Sequence, residues 1–254
     1  MGDSMKRFGL IIANPGEVGE PNYCEGVNKD ARNYLEFLCS PAGGAWERSE
    51  IQLLEKPSSL DVRVAMIQAK QADYAFIVFA GHGYYSAVTR STMLRLRPGV
   101  EFDSANLRQG ASKQTVVLDC CRKIESPQQI VKRAALSFTE SVSKRMNAQN
   151  CRKHFDREIG NCSSALVVIH SCAINQTAGD DSERGGYYSF NLLEGANDWA
   201  LGLSASSFCN YSLSATEAHD KAAINVSRLS GCRQTPEIEK PRSAPYFPLA
   251  VGAW

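Results

Sequence analysis

A chain of 254 residues, 43% hydrophobic and 22% charged, can bury one sizeable core, and no Pro/Ser/Gly-rich linker divides it into smaller domains. A net charge of +1 argues against a general nucleic-acid binder, and no apolar run approaches the ~20 residues of a membrane span. With no signal-peptide core at the N-terminus a cytoplasmic location is expected, and the nine cysteines read as reduced, mostly buried thiols.

In chain order, Phe8 to Ala13 is a first strand, stopped by Asn14-Pro15-Gly16. From Asn28 a helical period places Ala31, Tyr34, Leu35 and Leu38 on one face and ends at Ser40-Pro41. Ile51 to Leu54 is a second strand. Ser58 and Asp61 form a capping box for a helix with Val62, Ala65, Met66 and Ala69 on its apolar stripe. Ala75 to Ala80 is a buried strand running into Gly81-His82-Gly83, and residues 84–114 read as a hairpin with surface loops. Val116 to Leu118 is another buried strand, running into Asp119-Cys120-Cys121-Arg122.

Beyond it, Ser126-Pro127 starts a helix carrying Val131, Ala134, Phe138 and Val142. Ala165 to His170 is a strand, 185–203 and 214–228 contain helices, and Phe247 to Val251 is expected to close the sheet as an edge strand, where Pro248 is tolerated. The alternation of strands and helices predicts a three-layer α/β/α sandwich around a mostly parallel sheet.

The chemistry is concentrated where two strands stop, and open parallel sheets bind ligands beyond the carboxyl ends of their strands. If the two strands are parallel neighbours, His82 and a thiol share one crevice. Side chains alternate along a strand, so Asp119 and Cys121 face one way and Cys120 the other. Cys121 is then the nucleophile and His82 the general base and acid, with an imidazolium lowering the thiol pKa. The Gly83 and Cys121 N–H groups can meet a developing oxyanion, and losing one such donor costs about 3 kcal/mol.

These motifs resemble the His and Cys motifs of the caspase and metacaspase cysteine peptidases. Gly26-Val27-Asn28-Lys29-Asp30-Ala31 is similar to the family's early Asn/Asp-Ala motif. Ser171-Cys172 to Ala178, then Gly185-Gly186-Tyr187-Tyr188-Ser189-Phe190, is similar to the metacaspase segment after the next strand. About residues 7–251 fit a bare caspase-like domain with no prodomain: 7–121 as a large-subunit-like part, 122–163 as a basic linker, and 164–254 as a small-subunit-like part.

Asp-x-Cys is the metacaspase form of the motif. The resemblance implies that Asp119, with Asp30 as a second acidic position, recognises Lys or Arg before the scissile bond. Ala80 replaces the serine commonly found there. No cofactor is expected; the paired aspartates of calcium activation are not evident, with Glu101 and Asp103 the nearest candidates, which puts calcium dependence in doubt. Cys151-x-x-His154 with Cys162 lacks a fourth ligand, so no metal site is expected. His170 and His219 read as ordinary core or surface histidines.

Residues 122–163 hold nine Lys/Arg against four Asp/Glu. Within this linker Lys144-Arg145 and Arg152-Lys153 are the autoprocessing candidates, placed near or past the end of the helix expected from Ser126. The resulting expectation is a cysteine endopeptidase acting on protein substrates, switched on by a partner, cutting a pore-forming or other effector in prokaryotic regulated cell death or antiviral defence. The alternatives are a catalytically weak caspase-like module that binds a partner and, further off, a thiol acyl transferase or esterase.

Overall fold

The structure is a computed structural model describing residues 5–124, 146–203 and 210–254. The first half runs β1 (Arg7–Asn14), α1 (Gly26–Cys39), a 3-10 turn (Arg48–Glu50), β2 (Ile51–Glu55), α2 (Ser59–Ala69) and β3 (Tyr74–Gly81). β4 (Gly83–Ser86), β5 (Ser91–Arg97), β6 (Val100–Asp103) and a second 3-10 turn (Ser104–Arg108) then lead to β7 (Lys113–Asp119). The second half runs α3 (Ala148–Asn161), β8 (Ala165–His170), β9 (Asp180–Asp181), β10 (Gly185–Gly186) and α4 (Tyr187–Leu201). It closes with β11 (Tyr211–Ser214), α5 (Ala215–Ser230), β12 (Glu237–Glu239) and β13 (Pro248–Gly252).

Six strands form the central sheet in the order β12-β8-β7-β3-β1-β2, parallel throughout except for β12. β3 and β7 are its middle strands and are covered on both faces, which is why each reads as an unbroken apolar run. Along β3, Tyr74, Phe76 and Val78 face one core, packed by α1, α3, α4 and α5. Ala75, Ile77 and Phe79 face the other, packed by α2 and the antiparallel β4-β5-β6 sheet. The molecule is a three-layer α/β/α sandwich, as expected. Among the described residues no helix is long and apolar enough to cross a membrane.

Two expectations are corrected. β13 does not close the central sheet; it pairs with β11 in a separate two-stranded sheet and is buried at every residue. The edge is β12, whose Glu-Ile-Glu pattern puts both carboxylates within reach of cations: Glu237 binds Arg122 and Glu239 binds Arg108, each at 2.6 Å. Charged side chains blunt an open sheet edge, a task that the apolar β13 could not perform.

The second correction falls in the basic linker. The helix expected from Ser126, and with it Lys144 and Arg145, lies outside the described residues. Arg152 and Lys153, expected past a helix end, lie inside α3. Cys151, Phe155 and Ile159 recur at helical spacing on one face of that helix and are buried in the core. Arg152 makes a two-pronged ion pair with Glu50 at 2.6 and 2.8 Å. Cleavage at Arg152 would require this helix to unwind.

α3 is also fixed to β1 by Arg7. Its buried guanidinium lies between the rings of Trp46 and Phe155, 5.2 and 4.8 Å from their centroids. It donates to the carbonyls of Gly44 and Arg152 at 2.7 and 3.0 Å and pairs with Asp156 at 2.6 Å. Arg7→Met keeps the stem packing but leaves these acceptors without their donor. A loss of about 3 kcal/mol is expected, read as a lower urea midpoint at unchanged slope.

Candidate active site

β3 and β7 are hydrogen-bonded neighbours in parallel register, with Ala80 opposite Asp119. His82 and Cys121 each lie two residues past that rung, at the carboxyl end of the sheet. The turn that delivers His82 depends on Gly81, whose φ is +149° and whose position leaves a Cβ 2.5 Å from the Asn14 carbonyl oxygen. Gly83 opens β4 against Cys120, whose Sγ would be 2.8 Å from any Cβ at that position. Cys120 is buried in the core on the α2 side. Cys121 points to the other side of the chain, as the alternation requires.

Cys121, His82, Asp119 and Asp30 line a single cavity, together with Cys24, Asp180 and the backbone at 177–179. Its volume is about 40 Å³, and its mouth is open to solvent. The segment 177–180 is half-buried, and the Cys121 thiol donates to the Ala178 carbonyl at 3.8 Å.

Burial pushes the Cys121 thiol up and the His82 imidazole down, the latter helped by the charge of Arg95 and opposed by the carbonyls of Asn22 and Pro15. Among the described residues no partner completes hydrogen-bond geometry at His82 Nε2. Both shifts favour the neutral thiol and the neutral imidazole. Loss of water penalises both charges.

The carboxylates sit where α4 begins. Gly186 donates its N–H to both oxygens of Asp30, at 3.0 and 2.9 Å. Ser189 donates its N–H and its hydroxyl to Asp119 Oδ2, at 3.0 and 2.6 Å. A Cβ on Gly186 would lie 2.5 Å from Asp119 Oδ2, so only glycine lets both carboxylates close on the helix start. Burial raises both carboxyl pKa values, that of Asp30 far above its ordinary value, with the neighbouring Asp119 and Asp180 charges adding to the rise. Among the described residues no lysine or arginine lines this cavity.

Arg122 points away from the cavity. It donates to Thr92 Oγ1 at 3.2 Å, the Cys172 carbonyl at 3.1 Å and Glu237 at 2.6 Å, and its backbone exchanges hydrogen bonds with Gln176 and Asn175. Its side chain therefore holds the end of β7 to the sheet edge. Glu101 accepts from the Tyr84 hydroxyl and Asp103 caps the turn after β6. His154 is engaged by the Tyr211 carbonyl and Arg157. Among the described residues no three His, Cys, Asp or Glu side chains are grouped to hold a metal ion.

Asp180 and Ser189 escaped the reading of the sequence. Asp180 stands ten residues beyond the end of β8, in β9, so no strand end pointed to it. Ser189 carries no local signal beyond its place in the first turn after Gly-Gly.

The sequence profile of the caspase domain matches residues 6–247. The chain belongs to the caspase domain family, a family of cysteine peptidases. Among solved structures, the crystal structure of caspase-1 from Spodoptera frugiperda is similar in fold, with a TM-score of 0.56 and 13% identity over 93% of this chain and 87% of that chain. No curated protein matches the chain.

Proposed function

We propose that this protein is a cysteine endopeptidase that cleaves protein substrates after Lys or Arg. The observation that carries the reading is the convergence, in one cavity at the carboxyl end of the sheet, of a thiol, an imidazole and carboxylates without a cation. Asp119, with Asp30 beside it, would bind the guanidinium or ammonium of the residue before the scissile bond. Asp180 adds a third negative group at the rim.

In the reaction, Cys121 Sγ attacks the carbonyl carbon as His82 takes the thiol proton. The oxyanion is held by the N–H groups of Gly83 and Cys121. His82 then returns the proton to the leaving amine, and water, deprotonated by His82, hydrolyses the acyl-enzyme. The neutral resting pair makes His82 a true base in the first step. No cofactor takes part.

The small volume of the cavity favours a second reading, a partner-binding module of low activity. It equally fits an enzyme opened by an activating partner and directed at an effector protein, with roles in prokaryotic cell death or antiviral defence.

Purified protein should hydrolyse a fluorogenic peptide with Arg before the reporter at least 100-fold faster than its Asp counterpart, with or without calcium. Equal rates, or a preference for Asp, would remove the acidic-pocket assignment. An absence of turnover with every peptide would favour the binding module.

A further inference from the structure

The two carboxylates of the cavity are not held alike. Asp30 receives the Gly186 N–H alone among the described residues, shared between its oxygens. Asp119 receives both the N–H and the hydroxyl of Ser189 on one oxygen. A serine hydroxyl has a single proton, and here it is committed to Asp119 at 2.6 Å. The Tyr34 hydroxyl, 3.2 Å from Ser189 Oγ, must then be the donor in that contact. Tyr34, Ser189 and Asp119 form a one-way chain of donors ending on a carboxylate, and all three side chains are buried.

We propose that Ser189, itself polarised by Tyr34, is the positioning residue that makes Asp119 the charged member of the acidic pair and so sets the preference of the site for a cationic side chain. This inference rests on the peptidase reading above. A chain of hydroxyl donors strengthens each of its members and accepts only an ionised or acceptor-oriented carboxyl at its end. Two buried carboxylates this close share their charge unevenly, and the better-solvated one ionises. Asp119 has that solvation and Asp30 does not, in keeping with the larger upward push on Asp30. The charged groups facing the pair are Asp180, at the rim, with the Cys121 thiol and His82 on the opposite wall. None of them supplies a compensating cation in the resting state.

The chain also explains a choice of residue. Alanine at 189 would satisfy the helix and the core equally well, but it would remove the hydroxyl donor at 2.6 Å and leave Asp119 with the backbone N–H and the Ser171 side chain. Tyr34 would lose its acceptor at the same time.

The test uses two fluorogenic peptides that differ only in the residue before the reporter, arginine or its uncharged analogue citrulline. Wild-type enzyme should prefer arginine, and Ser189→Ala should lower the Arg-to-citrulline ratio of kcat/KM about tenfold. The change should fall in KM for the arginine peptide, with the citrulline constants within twofold of wild type. Ser189→Thr, which keeps the hydroxyl, should restore the ratio, and Tyr34→Phe should lower it about threefold.

An unchanged ratio in Ser189→Ala overturns the inference, as does a parallel fall for both peptides, which marks a structural role. Should the wild type cleave neither peptide, their affinities for the Cys121→Ala protein and its Ser189→Ala double variant give the same ratio by fluorescence polarisation. A wild type that does not distinguish arginine from citrulline, by rate or by affinity, refutes the acidic-pocket reading itself and the inference with it.

Discussion

Cys121→Ala is expected to reduce turnover of the arginine peptide by about 10⁴-fold or more, to background, because the variant has no atom that can form the acyl bond. Cys120→Ala should keep kcat/KM within a few-fold. The adjacent thiols are a natural control for each other. Cys120 packs among the aliphatic side chains on the α2 side, and burial pushes its pKa far above the range in which a thiolate forms. Its removal leaves a small cavity against Gly83, at a cost of about 1 kcal/mol in stability. Cys121 lines the cavity with His82. Iodoacetamide labelling of intact protein, read by peptide mass, should follow the same order, with Cys121 reacting before Cys120. Activity that survives Cys121→Ala and disappears with Cys120→Ala would reverse the assignment.

Asp119→Asn should lower kcat/KM for the arginine peptide about 100-fold while leaving the thiol chemistry in place. Removing one member of a buried, hydrogen-bonded charge pair typically costs about 2–5 kcal/mol of binding. The sign of the accompanying stability change is opposite. Burial raises the Asp119 pKa in the fold, so its ionised form destabilises the empty protein. That contribution to stability is fully present below the unfolded-state carboxyl pKa and is lost as pH rises through the folded-state value. An amide in the same place has no charge to bury. The variant should therefore melt no lower than wild type at pH 7, and wild type should gain on it as the pH is lowered. A variant that loses both activity and stability at neutral pH would mean that Asp119 is chiefly a cap for α4. Function and stability compete at this position, as they do where a site stores an uncompensated charge.

The reading of the sequence singled out His82, Cys121 and Asp119 because their information is local, and Asp30 only through the resemblance of the segment from Gly26 to Ala31. Two apolar runs of strand length each end in a reactive side chain, and parallel sheets put such ends together. The capping box at Ser58 and Asp61 was equally legible, and it forms as written, Asp61 N–H to Ser58 Oγ at 3.2 Å and Ser58 N–H to Asp61 at 2.8 Å. Information carried by contacts between distant residues was not legible. Ser189 matters because α4 starts against the end of β7, seventy residues away in the chain. β12 is three residues long, and its place at the sheet edge depends on Arg108 and Arg122. α3 was hidden by its own surface, whose basic residues suggested a linker while Cys151, Phe155 and Ile159 faced the core. The direction in which burial pushes Cys121 and His82 was not legible either: a pKa depends on how much water reaches the group, and no motif records that.

The position of β8 governs what a broken backbone would do. This strand comes after residue 146, yet it lies inside the sheet, hydrogen-bonded to β7 along six residue pairs from Lys113–Ala165 to Leu118–His170. Arg7 reaches from the first strand to Asp156 on α3. A cut anywhere between residues 124 and 146 would give two polypeptides on a denaturing gel and one particle on a sizing column. The fragments are interleaved, each supplying strands to the same sheet, and neither can leave without exposing the apolar faces of the other. Scission there would separate β7 from α3 and β8 in the chain, while the sheet held both pieces in register.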